Sequence, residues 1–324
     1  MYKLGAFAPF HWANRSNVLI LTYHRFSTEM DRSKISERQF ASHLEYLKEH
    51  HRVLSLADTV EYLKQGKSLP RNTTVITIDD GYADAFEIAF PLLKKFGFPA
   101  TVYGVTDFLD AKMWLWTDLM RYVLLNTRKD GVKIKFGETD MIEAVLTDDL
   151  KRSETANRIN TRLKMLPNEQ KEWRIKEIAD DLQVKLPERP TTAFAPITWA
   201  QAREMDADKV SIESHTVSHP ILTNIGQGTL DHEMKMSKKR LEGVLDRRIE
   251  HFCYPNGSLD KRVREAAKNA GYTSAVTTAY GFNDARTDRL LMNRIDAQSA
   301  IESFAQSASG FEAARQRMFE LGSA

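Results

Sequence analysis

Two stretches of the chain hold the side chains best suited to act together. In TVITIDDGYADAF, Thr74 to Phe86, an apolar run rich in β-branched residues ends in adjacent carboxylates, Asp79 and Asp80, followed by Gly81. The run reads as a strand delivering both acids to its C-terminal end. In α/β folds catalytic groups collect there, because the loops vary while the strands hold their roots. Carboxylates this close repel, so keeping both ionised calls for a cation nearby. The second stretch, SHTVSHP (Ser214–Pro220), follows a short strand at Val210 to Glu213 and spaces His215 and His219 four apart. On a helical turn such residues share a face, so two imidazoles can converge on one ion. Zinc, cobalt and nickel accept such nitrogens beside a carboxylate oxygen. The alternative is a pair of helix-start histidines hydrogen-bonded to backbone. A further residue, His24, closes the apolar run VLILTY (Val18 to Tyr23). It is either an acid–base group or a hydrogen-bonded residue at the edge of the core.

The elements that must position these groups alternate. Helical patterns at Glu37 to Lys48 and Ala57 to Lys64, capped by Ser36 and Ser55, precede the carboxylate strand. A helix over Ala83 to Phe96, stopped at Gly97, leads to a strand at Pro99 to Val105, and strand–helix–strand with short links implies a right-handed parallel crossover. From 107 to 196 the alternation lapses into charged helical segments, with a small hairpin expected at Val132 to Phe136. Trp114, Trp116, Met120 and Leu124 form an apolar stripe there that reads as core. After Pro196 the rhythm resumes with a helix at Thr198 to Met205, the strand before the histidines, and a helix at Thr229 to Leu245. A strand at His251 to Tyr254, a helix at Leu259 to Asn269, strands at Thr273 to Thr277 and Leu290 to Ile295, and a terminal helix at Ser299 to Leu321 complete the pattern. About seven parallel strands with helices between them favour an α/β fold, a distorted (β/α)7 TIM-like barrel. The expected organisation is one barrel domain over 1–324 carrying a mainly helical insertion at 107–196.

The bulk properties narrow the function. A net charge of +2, from 46 Lys and Arg against 44 Asp and Glu, leaves no footprint for nucleic acid or an anionic membrane. The single cysteine, Cys253, excludes an internal disulfide and a Cys-rich zinc site, so His and carboxylates are the candidate ligands. No stretch approaches the roughly 20 apolar residues of a membrane helix. The start, MYKLGAFAPFHWANRS, shows no signal-peptide pattern, so a cytoplasmic setting is expected.

Taken together, the chain resembles the polysaccharide deacetylases of carbohydrate esterase family 4. TIDDG is similar to the family's TFDDG motif, with Ile78 in place of Phe, and SHTVSHP is similar to its H-S/T-x-x-H motif. The resemblance implies Asp79 as general base, and Asp80, His215 and His219 as ligands of one divalent metal ion: zinc, or else cobalt or nickel. Where many members carry R-x-P-Y, this chain reads CYPNG, Cys253 to Gly257. That version resembles the permuted branch of the poly-β-1,6-N-acetylglucosamine deacetylases. It implies Tyr254 and Pro255 in the substrate loop, with a backbone N–H at Tyr254 holding the oxyanion, or else simply a turn. The usual C-terminal Leu-x-His is absent from LLMNRID, and in the permuted branch the acid His comes from the first strand, which makes His24 the expected proton donor. Arg294 is expected to replace the missing arginine by pairing with Asp79, with a structural salt bridge as the competing reading.

The chemistry fits the residue types. Acetamide hydrolysis needs an activated water, oxyanion stabilisation and a proton for the leaving amine. The leading expectation is metal-dependent removal of N-acetyl groups from a sugar, oligosaccharide or surface-polysaccharide precursor. The alternatives are an O-acetyl esterase or non-carbohydrate amidase on the same fold, and a catalytically silent carbohydrate-binding relative.

Overall fold

The computed structural model describes residues 7–31, 33–312 and 315. Seven parallel strands close on themselves: β1 (Leu19–Tyr23), β2 (Thr73–Ile78), β3 (Ala100–Gly104), β4 (Val210–Ser214), β5 (His251–Cys253), β6 (Ser274–Tyr280) and β7 (Met292–Asp296). Each lies beside its neighbour in sequence, and β7 returns to β1 through Leu21 opposite Ile295. The barrel is distorted. β4 and β5 share one registered pair, Ser214 with Phe252, and the register slips between Val276 and Tyr280 where β6 meets β7.

Continuous apolar runs make these strands because both faces are covered. Ile20, Val75, Tyr103, Cys253, Val276 and Met292 pack together on the inner face, while Leu19, Leu21, Ile76, Ile78, Val102, Ile212 and Phe252 pack outward under the helices. The outer helices relevant here are α1 (Glu37–His50), α2 (Leu56–Lys64) and α3 (Phe90–Phe96). The first is closed at its start by a Ser36–Gln39 capping box. The helix expected over Ala83 to Phe96 divides into a π-helical turn, Ala85–Ala89, and α3. Pro91 has no N–H to donate, and the wider turn relieves its ring against the preceding carbonyls. Gly97 ends α3 at φ +70°, as a left-handed cap.

Between β3 and β4 the chain builds α4 (Trp116–Asn126), a hairpin of Gly131–Lys135 with Met141–Val145, α5 (Asp149–Leu163) and α6 (Asn168–Asp181). These share an apolar cluster that includes Trp116, Met120, Leu124, Ile134, Ile159 and Ile178. Trp114 packs instead on Tyr122 and Phe194. After α7 (Trp199–Ala207), β4 leads to α8 (Gln227–Leu245), and α9 (Lys261–Asn269) links β5 to β6. Helix α10 spans Ile301–Ser309. The rest of the terminal helix expected to Leu321, and the first six residues of the N-terminal stretch, lie largely or wholly outside the described residues.

Candidate functional site

Strand periodicity places the first acid. Val75 faces the barrel interior, and with a period of two so do Thr77 and Asp79, just as Met292 puts Arg294 on the inner face of β7. The two meet at the C-terminal mouth in a bidentate pair, Nη1 to Oδ1 at 2.7 Å and Nη2 to Oδ2 at 2.8 Å. Arg294 Nε donates to the Thr277 carbonyl and Nη1 also to Thr77 Oγ1, which fixes the guanidinium plane. Both side chains are almost wholly buried. Burial pushes the Asp79 carboxyl up, but Arg294 outweighs it and holds the group below the usual carboxylate range.

The next residue escapes that parity through backbone strain. Asp80 has φ +75° and Gly81 φ +84°, so the chain turns sharply and Asp80 faces the mouth rather than the helices. A Cβ at Gly81 would lie 3.0 Å from Leu109 Cδ2. The returning chain clamps the turn: Ala83 N–H donates to the Ala195 carbonyl and Ile197 N–H to that of Gly81. Asp80 Oδ1 stands 3.5 Å from both His215 Nε2 and His219 Nε2.

The two histidines do not converge through a helical turn. Residues 215–220 form a loop in which Thr216 (φ +73°) and His219 (φ +56°) are left-handed. Glu233 on α8 holds that loop, accepting from the N–H groups of Val217 (2.8 Å) and Ser218 (2.9 Å) and from Ser218 Oγ (2.6 Å). Thr216 Oγ1 accepts from His219 N–H. His215 Nδ1–H donates to the Cys253 carbonyl at 2.7 Å, leaving Nε2 to face Asp80. Burial and the neighbouring His215 lower His219 to about 3. At His215 burial is outweighed by Cys253, Asp80 and Asp79, which raise it well above the ordinary value.

His24 lies at the same mouth, with Nε2 3.7 Å from Asp79 Oδ2 and its side chain 53% exposed. It is the group of this set that faces solvent. Tyr254 is placed differently from the expectation. Its N–H donates to the Val276 carbonyl at 3.2 Å and its hydroxyl to the Leu290 carbonyl at 3.1 Å, and it is fully buried. With its N–H spent on the neighbouring strand, it has no free backbone donor for an oxyanion. Pro255, itself buried, begins a turn over Pro255–Gly257 just beyond.

Three contributors carry no mark in the sequence. The Cys253 thiol donates to Asp79 Oδ2 (3.4 Å), and its sulfur accepts from Arg294 Nη2 (3.2 Å). Glu233 is one acid in a helix crowded with charges. Asp118, on α4, accepts from the Tyr82 hydroxyl at 2.7 Å, and burial raises its carboxyl to about 6. Asp118 and Asp80 both line a cavity of about 450 Å³ between the mouth, α4 and α5.

Residues 66–275 match the polysaccharide deacetylase family. The chain belongs to it. Poly-beta-1,6-N-acetyl-D-glucosamine N-deacetylase of Staphylococcus epidermidis (strain ATCC 35984 / DSM 28319 / BCRC 17069 / CCUG 31568 / BM 3577 / RP62A) is 26% identical over 174 residues, 43% of this chain and 59% of that one. YxkH of Bacillus subtilis (strain 168) is 22% identical over 263 residues, 81% of this chain and 64% of that protein. In each case the match spans less than two-thirds of the relative's own length. Among solved structures, the Streptococcus pyogenes deacetylase PplD in complex with acetate aligns with a TM-score of 0.60 at 20% identity, covering 91% of this chain and 99% of that one. IcaB from Ammonifex degensii gives 0.60 at 18%, covering 91% and 96%. At these identities the likeness shows a shared fold.

As a polysaccharide deacetylase family member the chain can be tested for fit to a divalent ion. Ligand atoms of Asp80, His215 and His219 all lie within 4.8 Å of one another, and all three residues are buried. Two imidazole nitrogens and one carboxylate oxygen suit such an ion, and His215 is oriented from behind by a carbonyl, as metal-binding imidazoles usually are. The donor set fits. No helix among the described residues is long and apolar enough to cross a membrane.

Proposed function

We propose that this chain hydrolyses N-acetyl groups on a sugar or glycan. The observation that carries the reading is the buried trio Asp80, His215 and His219 set beside a second carboxylate, Asp79, that has its own cation in Arg294. Asp80, His215 and His219 would hold a divalent ion, zinc or else cobalt or nickel. When bound, such an ion supplies Lewis acidity and offsets the negative charge that develops on the acetyl oxygen.

The chain's own residues supply the proton traffic. Asp79 stays ionised at working pH because Arg294 outweighs its burial, so it is always ready to accept a proton from the attacking water. The same pairing keeps it a weak base, which suits a group that must give the proton up again. His24, exposed and 3.7 Å from Asp79, would protonate the leaving amine. Cys253 and Arg294 hold the Asp79 carboxylate in one orientation. Poly-β-1,6-N-acetylglucosamine and its shorter oligomers are the first substrates to try, because a relative is named for that activity.

Acetate release from N-acetylglucosamine oligomers tests the proposal. Release should stop on treatment with EDTA and return with zinc or cobalt. Undiminished release from fully chelated protein, or none from any sugar amide with metal supplied, would sink it.

A further inference from the structure

The cavity beside Asp80 joins the barrel mouth to α4 and α5, whose wall presents Arg121, Asn160 and Lys164. Among the described residues neither Arg121 nor Lys164 has a carboxylate within 4.0 Å, although Arg121 is half-buried. Lys34 lines an adjoining recess of about 300 Å³ that shares His24, Arg25 and Ser33 with the first, and it too is half-buried, with no ion pair among the described residues. Burial and the charges of Arg25 and Arg121 lower its pKa, offset in part by Asp84 and Asp31. Arg25 is different, because Asp84 neutralises it at 2.7 Å.

Arg121 and Lys34 are like charges kept partly out of water with no carboxylate at ion-pair distance among the described residues, and exposed Lys164 adds a third. All stand around a cleft beside the reacting centre whose own acids, Asp80 and Asp118, offset them only in part. The same cleft is lined by Arg25, buried, whose Nη1 has no partner among the described residues. Polar atoms enclosed this way are uncommon and mark a place where a partner can arrive. The volume lies in the range of small-ligand sites.

We propose that this wall binds an anionic substituent of the substrate, a phosphate ester or a carboxylate carried next to the N-acetyl sugar being hydrolysed. The inference rests on the deacetylase reading and narrows its substrate class.

The test compares kcat/KM for acetate release by the full, metal-loaded chain on one N-acetylhexosamine in three forms: a neutral oligosaccharide, its phosphate ester and its uronate-containing counterpart. At least one anionic form should be favoured about tenfold at low ionic strength, mainly through KM, with the advantage shrinking as salt rises. Whichever form is favoured identifies the source of the charge. Replacing Arg121 and Lys164 together by Gln should bring the ratio near one, and replacing both by Glu should invert it, with thermal melting checking that the variants fold. Equal use of neutral and anionic forms by the wild type, or a preference that survives both double variants, would overturn the inference and leave deacetylation standing. No acetate from any of the three would sink both.

Discussion

Asp79 and Asp80 are neighbours on one turn, yet their surroundings are opposite. Asp79 is closed in: a bidentate arginine, a thiol and the barrel wall surround it. Asp80, though also buried, opens toward the mouth and faces two imidazoles at 3.5 Å, with supports that act from behind on the histidines rather than on the carboxylate. The difference teaches that Arg294 serves Asp79, with no ion pair to Asp80 among the described residues. In the proposed reading a divalent ion held by Asp80, His215 and His219 would supply the second positive charge. The proposed division of the pair between base and ligand rests on this difference in packing.

The contrast can be broken most forcibly at Arg294. Arg294→Leu leaves a buried carboxylate without its partner, and the loss should be about 3–5 kcal/mol in chemical denaturation, with acetate release falling sharply. If stability and rate barely change, Asp79 is not held as described. Acid titration separates the closed half from the rest of the fold. Asp79 has a depressed folded pKa, so its contribution is present above the unfolded carboxylate value and is lost only as pH falls below it. His43 and His251 are each lowered to about 4, chiefly by burial. Their unfolded forms bind protons first, so stability should fall as pH drops from the ordinary histidine value of 6.5 towards 4. Each accounts for about 2–3 kcal/mol. His43→Gln should flatten its share of that slope in a pH series of melting curves, and an unchanged slope would rule this cause out.

Smaller effects probe the open half. Glu233→Gln removes the charge that gathers the 215–220 loop, and zinc affinity measured by competition should weaken about 10–100-fold while the Asp79 side is untouched. Least of all, Tyr254→Phe should cost about 1 kcal/mol in melting and leave kcat unchanged, because its hydroxyl serves the Leu290 carbonyl and not the site. A large fall in kcat with normal stability would return Tyr254 to the reacting centre.

Much of this was legible in the residues. Apolar runs such as VLILTY and TTVITI, with helical patterns between, pointed to about seven strands and favoured a barrel, because strands buried on both faces leave a hydrophobic signature, while closure itself shows only in the pairing of β7 with β1. The pairing of Arg294 with Asp79 followed from a missing arginine elsewhere, and strand parity accounts for it. What stayed hidden depends on backbone angles and long-range contacts. The left-handed residues Asp80, Thr216 and His219 are ordinary types by name, so the loop that brings the histidines together read as a helical turn. Glu233 and Asp118 sit among many acids, and only the packing of α8 and α4 distinguishes them. Tyr254 looked free in a turn because the sheet partner of its N–H, Val276, lies 22 residues on, beyond an intervening helix.

The central claim is the unequal fate of the two carboxylates, and metal content of paired variants tests it most directly. Zinc should be measured by elemental analysis in purified Asp79→Asn and Asp80→Ala proteins, with acetate release recorded on the same samples. The account predicts that Asp79→Asn keeps its metal and loses activity by about 10²–10⁴-fold, whereas Asp80→Ala loses the metal itself. Full zinc in Asp80→Ala, or loss of zinc from Asp79→Asn, would contradict it.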